Sequence, residues 1–143
     1  MPIVTIQRVL EPPEEDREMI VKPLLAYNLA KAGDENYKRL AIFLRDNENE
    51  VQGGLWAKIY YNWLFVDLLF VPDAMRGENL GATLLREAEN WAKSEGCRGA
   101  WLDTFAFQAP EFYKKQGYSV FGTLENYPEP HSRHFLRKIL MPL

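Results

Sequence analysis

The stretch Leu69 to Leu85, LFVPDAMRGENLGATLL, runs from an apolar segment through a proline turn into the glycine-bearing start of a helix. Upstream, Trp63 to Val71 (WLFVDLLFV) is almost continuously apolar. That is the pattern of a central strand covered on both faces. Downstream, Gly77 to Glu95 carries Leu80, Leu84, Leu85, Ala88, Trp91 and Ala92 as one apolar stripe, at the spacing of a helix. Glu78, Arg86, Glu87, Glu89, Asn90 and Lys93 fall mostly outside it, and Gly96 is a natural terminator. Gly99 to Phe105 (GAWLDTF) reads as the next strand. A strand, a helix and a strand in succession need a crossover, so the two strands are expected to be parallel.

Working outward, Ile3 to Val9 alternates apolar and polar residues, which predicts a short strand before the turn EPPEED. Glu14 to Ala32 has helical spacing through Met19, Ile20, Leu24, Leu25 and Leu29. Pro23 removes an interior hydrogen bond and predicts two short helices there, ended by Gly33. Tyr37 to Arg45 and Val51 to Tyr60 read as strands around the acidic turn DNENE, with a bulge at Gly53 and Gly54. Pro110 to Gln116 predicts a short helix ended by Gly117, and Tyr118 to Leu124 and His134 to Leu140 predict two last strands. Short links between the early strands imply antiparallel pairing. The fold class is α/β: one domain over residues 1–143, a mixed sheet of six to seven strands with helices on both faces.

Composition excludes several classes. The chain has 143 residues, 47% hydrophobic and 26% charged, ordinary values for one globular core. Seventeen Lys+Arg against twenty Asp+Glu give a net charge of −3, without the basic stripe of a nucleic-acid binder. One cysteine, Cys97, forms no internal disulfide and reads as a small packing residue. The N-terminus has no signal-peptide pattern, and no apolar run reaches the ~20 residues of a membrane helix. A cytoplasmic location follows as the expectation. His131 and His134 are not joined by other metal ligands in a cluster, so no metal is expected. None of Ser94, Ser119 and Ser132 sits in a nucleophile elbow.

The chemistry is expected after Val71. Free amides at a helix N-terminus bind anions. Gly77 and Gly81 leave room for a phosphate, and Arg76 adds a forked cation. The segment lacks the Gly-Lys-Ser/Thr of a Walker loop and the Gly-x-Gly-x-x-Gly of a dinucleotide fold.

These residues resemble the GCN5-related N-acetyltransferases, whose acetyl-CoA signature is Gln/Arg-x-x-Gly-x-Gly/Ala between a strand and a helix. Arg76, Leu80 and Gly81 match it, with Asn79 where the first signature glycine is usual. Asn tolerates positive φ better than most residues. A second match is APEFYKKQGYSV, Ala109 to Val120, similar to the family's short helix, Gly-Tyr and strand.

The resemblance implies acetyl transfer from acetyl-CoA to an amine by direct attack. It places the diphosphate on Arg76, Gly77, Glu78, Asn79, Leu80, Gly81 and Ala82. It places the pantetheine arm along Leu69, Phe70 and Val71 as an added strand, with Gln108 and Lys114 as further cofactor contacts. Tyr113 matches the family's general acid, and a phenol of pKa about 10 suits donation to a thiolate. Asp67 and Asp103, each inside an apolar strand, are candidates for the base or for binding the ammonium, with Glu125 and His131 behind them. A buried carboxylate needs a partner, so a purely structural hydrogen bond is the competing account of either Asp. Trp56, Tyr60, Tyr61, Trp63, Phe107 and Tyr127 are candidates to line an acceptor pocket. The expected acceptor is a small-molecule primary amine, with a protein or peptide amine, or a non-catalytic acetyl-CoA module, as alternatives. No nucleic-acid or membrane partner is expected, and IYYNWLF is a candidate homodimer contact.

Overall fold

The computed structural model describes residues 3–141. The chain divides into two compact units, residues 1–35 and residues 36–143.

The first unit is one helix, α1 (Glu14–Ala32), with Pro23 inside it. The expected break into two helices does not occur. Proline removes only its own amide's bond, and the acidic residues Glu14, Glu15 and Asp16 in the first turn and Lys31 in the last favour the helix dipole. Gly33 ends the helix, its N–H donating to Leu29 O at 3.0 Å. Residues 3–9 form no strand, contrary to the sequence pattern, and Ile3 and Ile6 stay exposed. Alternation supplies an apolar face, but a strand also needs a ladder partner.

The second unit is a six-stranded sheet in the order β1-β2-β3-β4-β6-β5. Its strands are β1 (Lys38–Arg45), β2 (Val51–Tyr60), β3 (Trp63–Phe70), β4 (Gly99–Phe105), β5 (Ser119–Leu124) and β6 (Arg133–Ile139). A 3₁₀ turn (Asp73–Met75) and α2 (Leu80–Ser94) join β3 to β4, and α3 (Pro110–Lys115) precedes β5. The pairs β1–β2, β2–β3, β4–β6 and β5–β6 are antiparallel. Among the described residues the one parallel pair is β3–β4, as the crossover requires. In the β1–β2 ladder, the register shifts where Leu44 faces Gly53 and Arg45 faces Val51, so a bulge lies beside the Gly53-Gly54 pair.

The core is built from one face of this sheet and α2. Leu55, Ile59, Leu64, Leu102 and Leu136 meet Leu84, Leu85, Ala88 and Ala92. Leu80 and Trp91 reach it only partly. Cys97 is fully buried, and burial pushes its thiol pKa up, with Glu95 adding to the shift. In the IYYNWLF run, Ile59 and Leu64 are core residues, and Tyr60 is its exposed large side chain.

One residue of α2 departs from its expected face. Glu89 is 5% exposed. Its Oε2 accepts from Tyr118 Oη at 2.8 Å and its Oε1 from Lys138 Nζ at 2.8 Å. The charge is tolerated inside because both oxygens are paired. Helical periodicity alone cannot reveal partners that come from distant strands.

Candidate active site

The parallel ladder joins Trp63–Val66 to Gly99–Leu102 and goes no further. Beyond it, β3 continues with β2 as far as Phe70, while β4 continues with β6 as far as Phe105. The two central strands therefore diverge. A bulge drives this: Leu68 faces Trp56 and Val66 faces Ala57, which leaves Asp67 as the extra residue. The divergence opens a cavity of about 1010 Å³, and its edge along Leu68, Leu69 and Phe70 has no strand of its own to pair with. Asp67 lies in this cavity and is exposed, so the expectation of a buried carboxylate inside the strand is corrected. The bulge turns it out of the sheet.

At the next turn the cavity is lined by Val71, Arg76, Gly77, Asn79, Leu80 and Gly81. The helix begins at Leu80, three residues later than the pattern suggests. Gly77 at φ +95° and Asn79 at φ +58° put two left-handed residues into the loop. Asn79 is thus the N-cap of α2, and its carbonyl accepts from both Thr83 N and Thr83 Oγ1 at 3.0 Å. No side chain caps the helix, so the first-turn amides of Leu80, Gly81 and Ala82 stay available to an anion. Gly81 serves packing as well, because a Cβ there would stand 3.2 Å from the Phe112 ring of α3. Arg76 is held against its own turn, with Nε on Val71 O at 3.0 Å and Nη1 on Asp73 Oδ1 at 2.6 Å. Asn79→Gly is expected to leave stability unchanged, whereas Asn79→Val costs about 1–2 kcal/mol, read as a lower urea midpoint.

Facing this loop are Phe112 and Tyr113 of α3. Tyr113 is 9% exposed and lines the cavity. Burial, helped by the negative charge of Asp103, pushes its phenol up to about 12. Its ring meets Phe112 and Tyr118 edge-on, at 5.2 and 6.1 Å. Asp103 also lines the cavity, but it is ion-paired: Arg133 Nε and Nη2 both donate to Oδ1, at 2.9 and 2.6 Å. These bonds in turn hold the Arg133 pKa above its ordinary value. Gln108 closes the end of β4. Its Oε1 accepts from Phe105 N at 2.9 Å and from the buried Thr104 Oγ1 at 3.1 Å.

The sequence-predicted residues thus converge in part. Asp67, Leu69, Phe70, Val71, Arg76, Gly77, Asn79, Leu80, Gly81, Asp103, Gln108 and Tyr113 line one cavity. Glu78, Ala82 and Lys114 are outside its lining, and Lys114 is paired with Glu111 at 3.1 Å. Of the aromatic candidates, Phe107 lines the cavity and Tyr127 packs near Phe105, at 5.9 Å. Trp56, Tyr60, Tyr61 and Trp63 lie on the β2–β3 hairpin, outside the lining. Glu125 is exposed outside the lining, and His131 meets Phe107 edge-on at 5.0 Å. Sequence reading missed Arg133, Thr104 and Phe112. The need of Asp103 for a partner was the available signal for Arg133. Among the described residues, no group of three or more His, Cys, Asp and Glu could hold a metal, and no helix is long and apolar enough to cross a membrane.

Comparison with known proteins agrees with this geometry. The family model of the GNAT acetyltransferases matches residues 5–118. The chain is 42% identical to the acetyltransferase Atu2258 of Agrobacterium fabrum over 110 residues, 77% of this chain and 80% of that one. It is 39% identical to the blasticidin-S acetyltransferase of Streptomyces morookaense over 101 residues, 70% of this chain and 74% of that one. The crystal structure of an acetyltransferase from Bacillus cereus superposes with a TM-score of 0.83 at 34% identity, covering 93% of this chain and 97% of that one. With its splayed parallel strands and uncapped helix start, the chain belongs to the GNAT family of acetyltransferases and is an acyltransferase.

Proposed function

We propose that residues 1–143 form one N-acetyltransferase domain that moves the acetyl group of acetyl-CoA to a primary amine of a small molecule. The observation that carries this reading is a single cavity holding an uncapped helix start, an unpaired strand edge, a protonated phenol and a carboxylate. The amides of Leu80, Gly81 and Ala82 would grip the diphosphate, and the edge of β3 would pair with the pantetheine arm. The acceptor nitrogen attacks the thioester carbon directly, and the carbon–sulfur bond breaks. Tyr113 donates its proton to the departing thiolate. Asp67, which forms no ion pair among the described residues, takes the proton of the new ammonium, directly or through water. Asp103, already ion-paired with Arg133, is left to orient the acceptor rather than to accept the proton. Holding both substrates in one cleft supplies a large part of the acceleration. A small-molecule acceptor is supported by the relative that acetylates blasticidin S.

Calorimetry with acetyl-CoA, combined with thiol release across a panel of amines, tests the reading. Binding together with release for at least one small amine is expected. Release only with peptide amines would transfer the activity to proteins, and binding with no release for any amine would leave an acetyl-CoA module. Asp67→Asn is expected to raise the acceptor KM or shift the acid limb of the pH–rate profile. Wild-type kinetics at every pH would remove Asp67 from the mechanism.

A further inference from the structure

The cavity also carries an aromatic wall. Phe107 lines it while 55% exposed. The ring is nevertheless fixed. It stacks on Phe105 at 5.2 Å with an interplanar angle of 4°, and His131 meets it edge-on at 5.0 Å. Phe105 is itself braced by Arg133, whose guanidinium lies 5.3 Å above its ring. A backed aromatic plane facing a cavity is a preformed apolar wall, and flat rings gain by stacking on such a wall.

Of the carboxylates and cations that line the same cavity, one has no ion-pair partner among the described residues. Asp103 is neutralised by Arg133, and Arg76 by Asp73. Asp67 lines the same cavity and forms no ion pair among the described residues. That carboxylate favours a cation in the same cavity as a flat apolar surface.

We infer that this enzyme selects amines that carry a flat aromatic or heteroaromatic ring, with Phe107 as the specificity-determining residue. The inference rests on the acetyl-transfer reading above and names its substrate class. The ring stacks on Phe107 while the amine is drawn toward Asp67.

The test compares kcat/KM for phenethylamine, tryptamine and histamine with that for spermidine and kanamycin, by thiol release, with acetyl-CoA affinity measured by calorimetry. The wild type is expected to favour the ring amines by about tenfold. Phe107→Ala is expected to erase that ratio, mainly through the KM of the ring amines, and Phe107→Trp to restore it. Acetyl-CoA affinity is expected to stay constant in both variants. Turnover of spermidine or kanamycin without preference for ring amines would overturn the inference and leave the transfer reading standing. So would a Phe107→Ala variant that keeps the wild-type ratio. If acetyl-CoA binds and no amine of either kind releases thiol, the transfer reading falls and takes the inference with it.

Discussion

Tyr113→Phe is expected to lower kcat for acetyl transfer by about 100-fold, with the Kd for acetyl-CoA unchanged. The phenol sits in the cavity, buried, with Asp103 near enough to act on its ionisation. A proton donor to a thiolate must itself be protonated at working pH, and a phenol held up to about 12 meets that condition. The substitution removes only the hydroxyl, so the ring still packs on Phe112 and Tyr118. Steady-state thiol release and calorimetry separate the two effects. Unchanged kcat with chemistry rate-limiting would refute the role. The pH dependence follows with a definite sign. An unfolded tyrosine loses its proton near 10, whereas the folded Tyr113 holds it to about 12. Between those values the folded state binds more protons, so its stability falls as pH rises through the window. Below about pH 10 the contribution is fully present. Tyr113→Phe should lose less stability than the wild type over the same alkaline range, read from denaturant midpoints.

Lys138→Met is expected to destabilise the protein by roughly 3 kcal/mol, a fall in Tm of roughly 10 °C. It leaves the Glu89 carboxylate, 5% exposed, with a tyrosine hydroxyl as its one remaining partner among the described residues. The same carboxylate drives the Tyr118 hydroxyl pKa upward, second to burial itself. Glu89→Gln alone should be milder, because Lys138 is partly exposed and its ammonium can reach water. The double change Glu89→Gln with Lys138→Met removes both charges and keeps an acceptor for Tyr118. It should recover most of the loss, since a buried ion pair adds little over a well-packed neutral pair. Thermal melts of the three variants check this, and additive losses in the double variant would sink it.

Local patterns carried much of this protein. The apolar run from Trp63, the stripe from Leu80 to Ala92 and the strand at Gly99 specify a parallel crossover by periodicity and chain connectivity alone. Gly77 and Asn79 specify an open helix start, because left-handed backbone is a property of single residues. Tyr113 was legible from its surrounding segment.

Other features depend on partners distant in sequence, and only the folded chain supplied them. The bulge that turns Asp67 outward comes from its register against β2. Arg133 occupies Asp103 because β6 runs beside β4. Glu89 is buried because Tyr118 and Lys138 reach it from the far side of the chain. The outcome for residues 3–9 and for Pro23 was likewise decided by pairing and helix continuity rather than by composition. A sequence fixes which backbone conformations each residue tolerates. Which charges meet is set by the sheet order, and with it the pairing of Asp103 with Arg133.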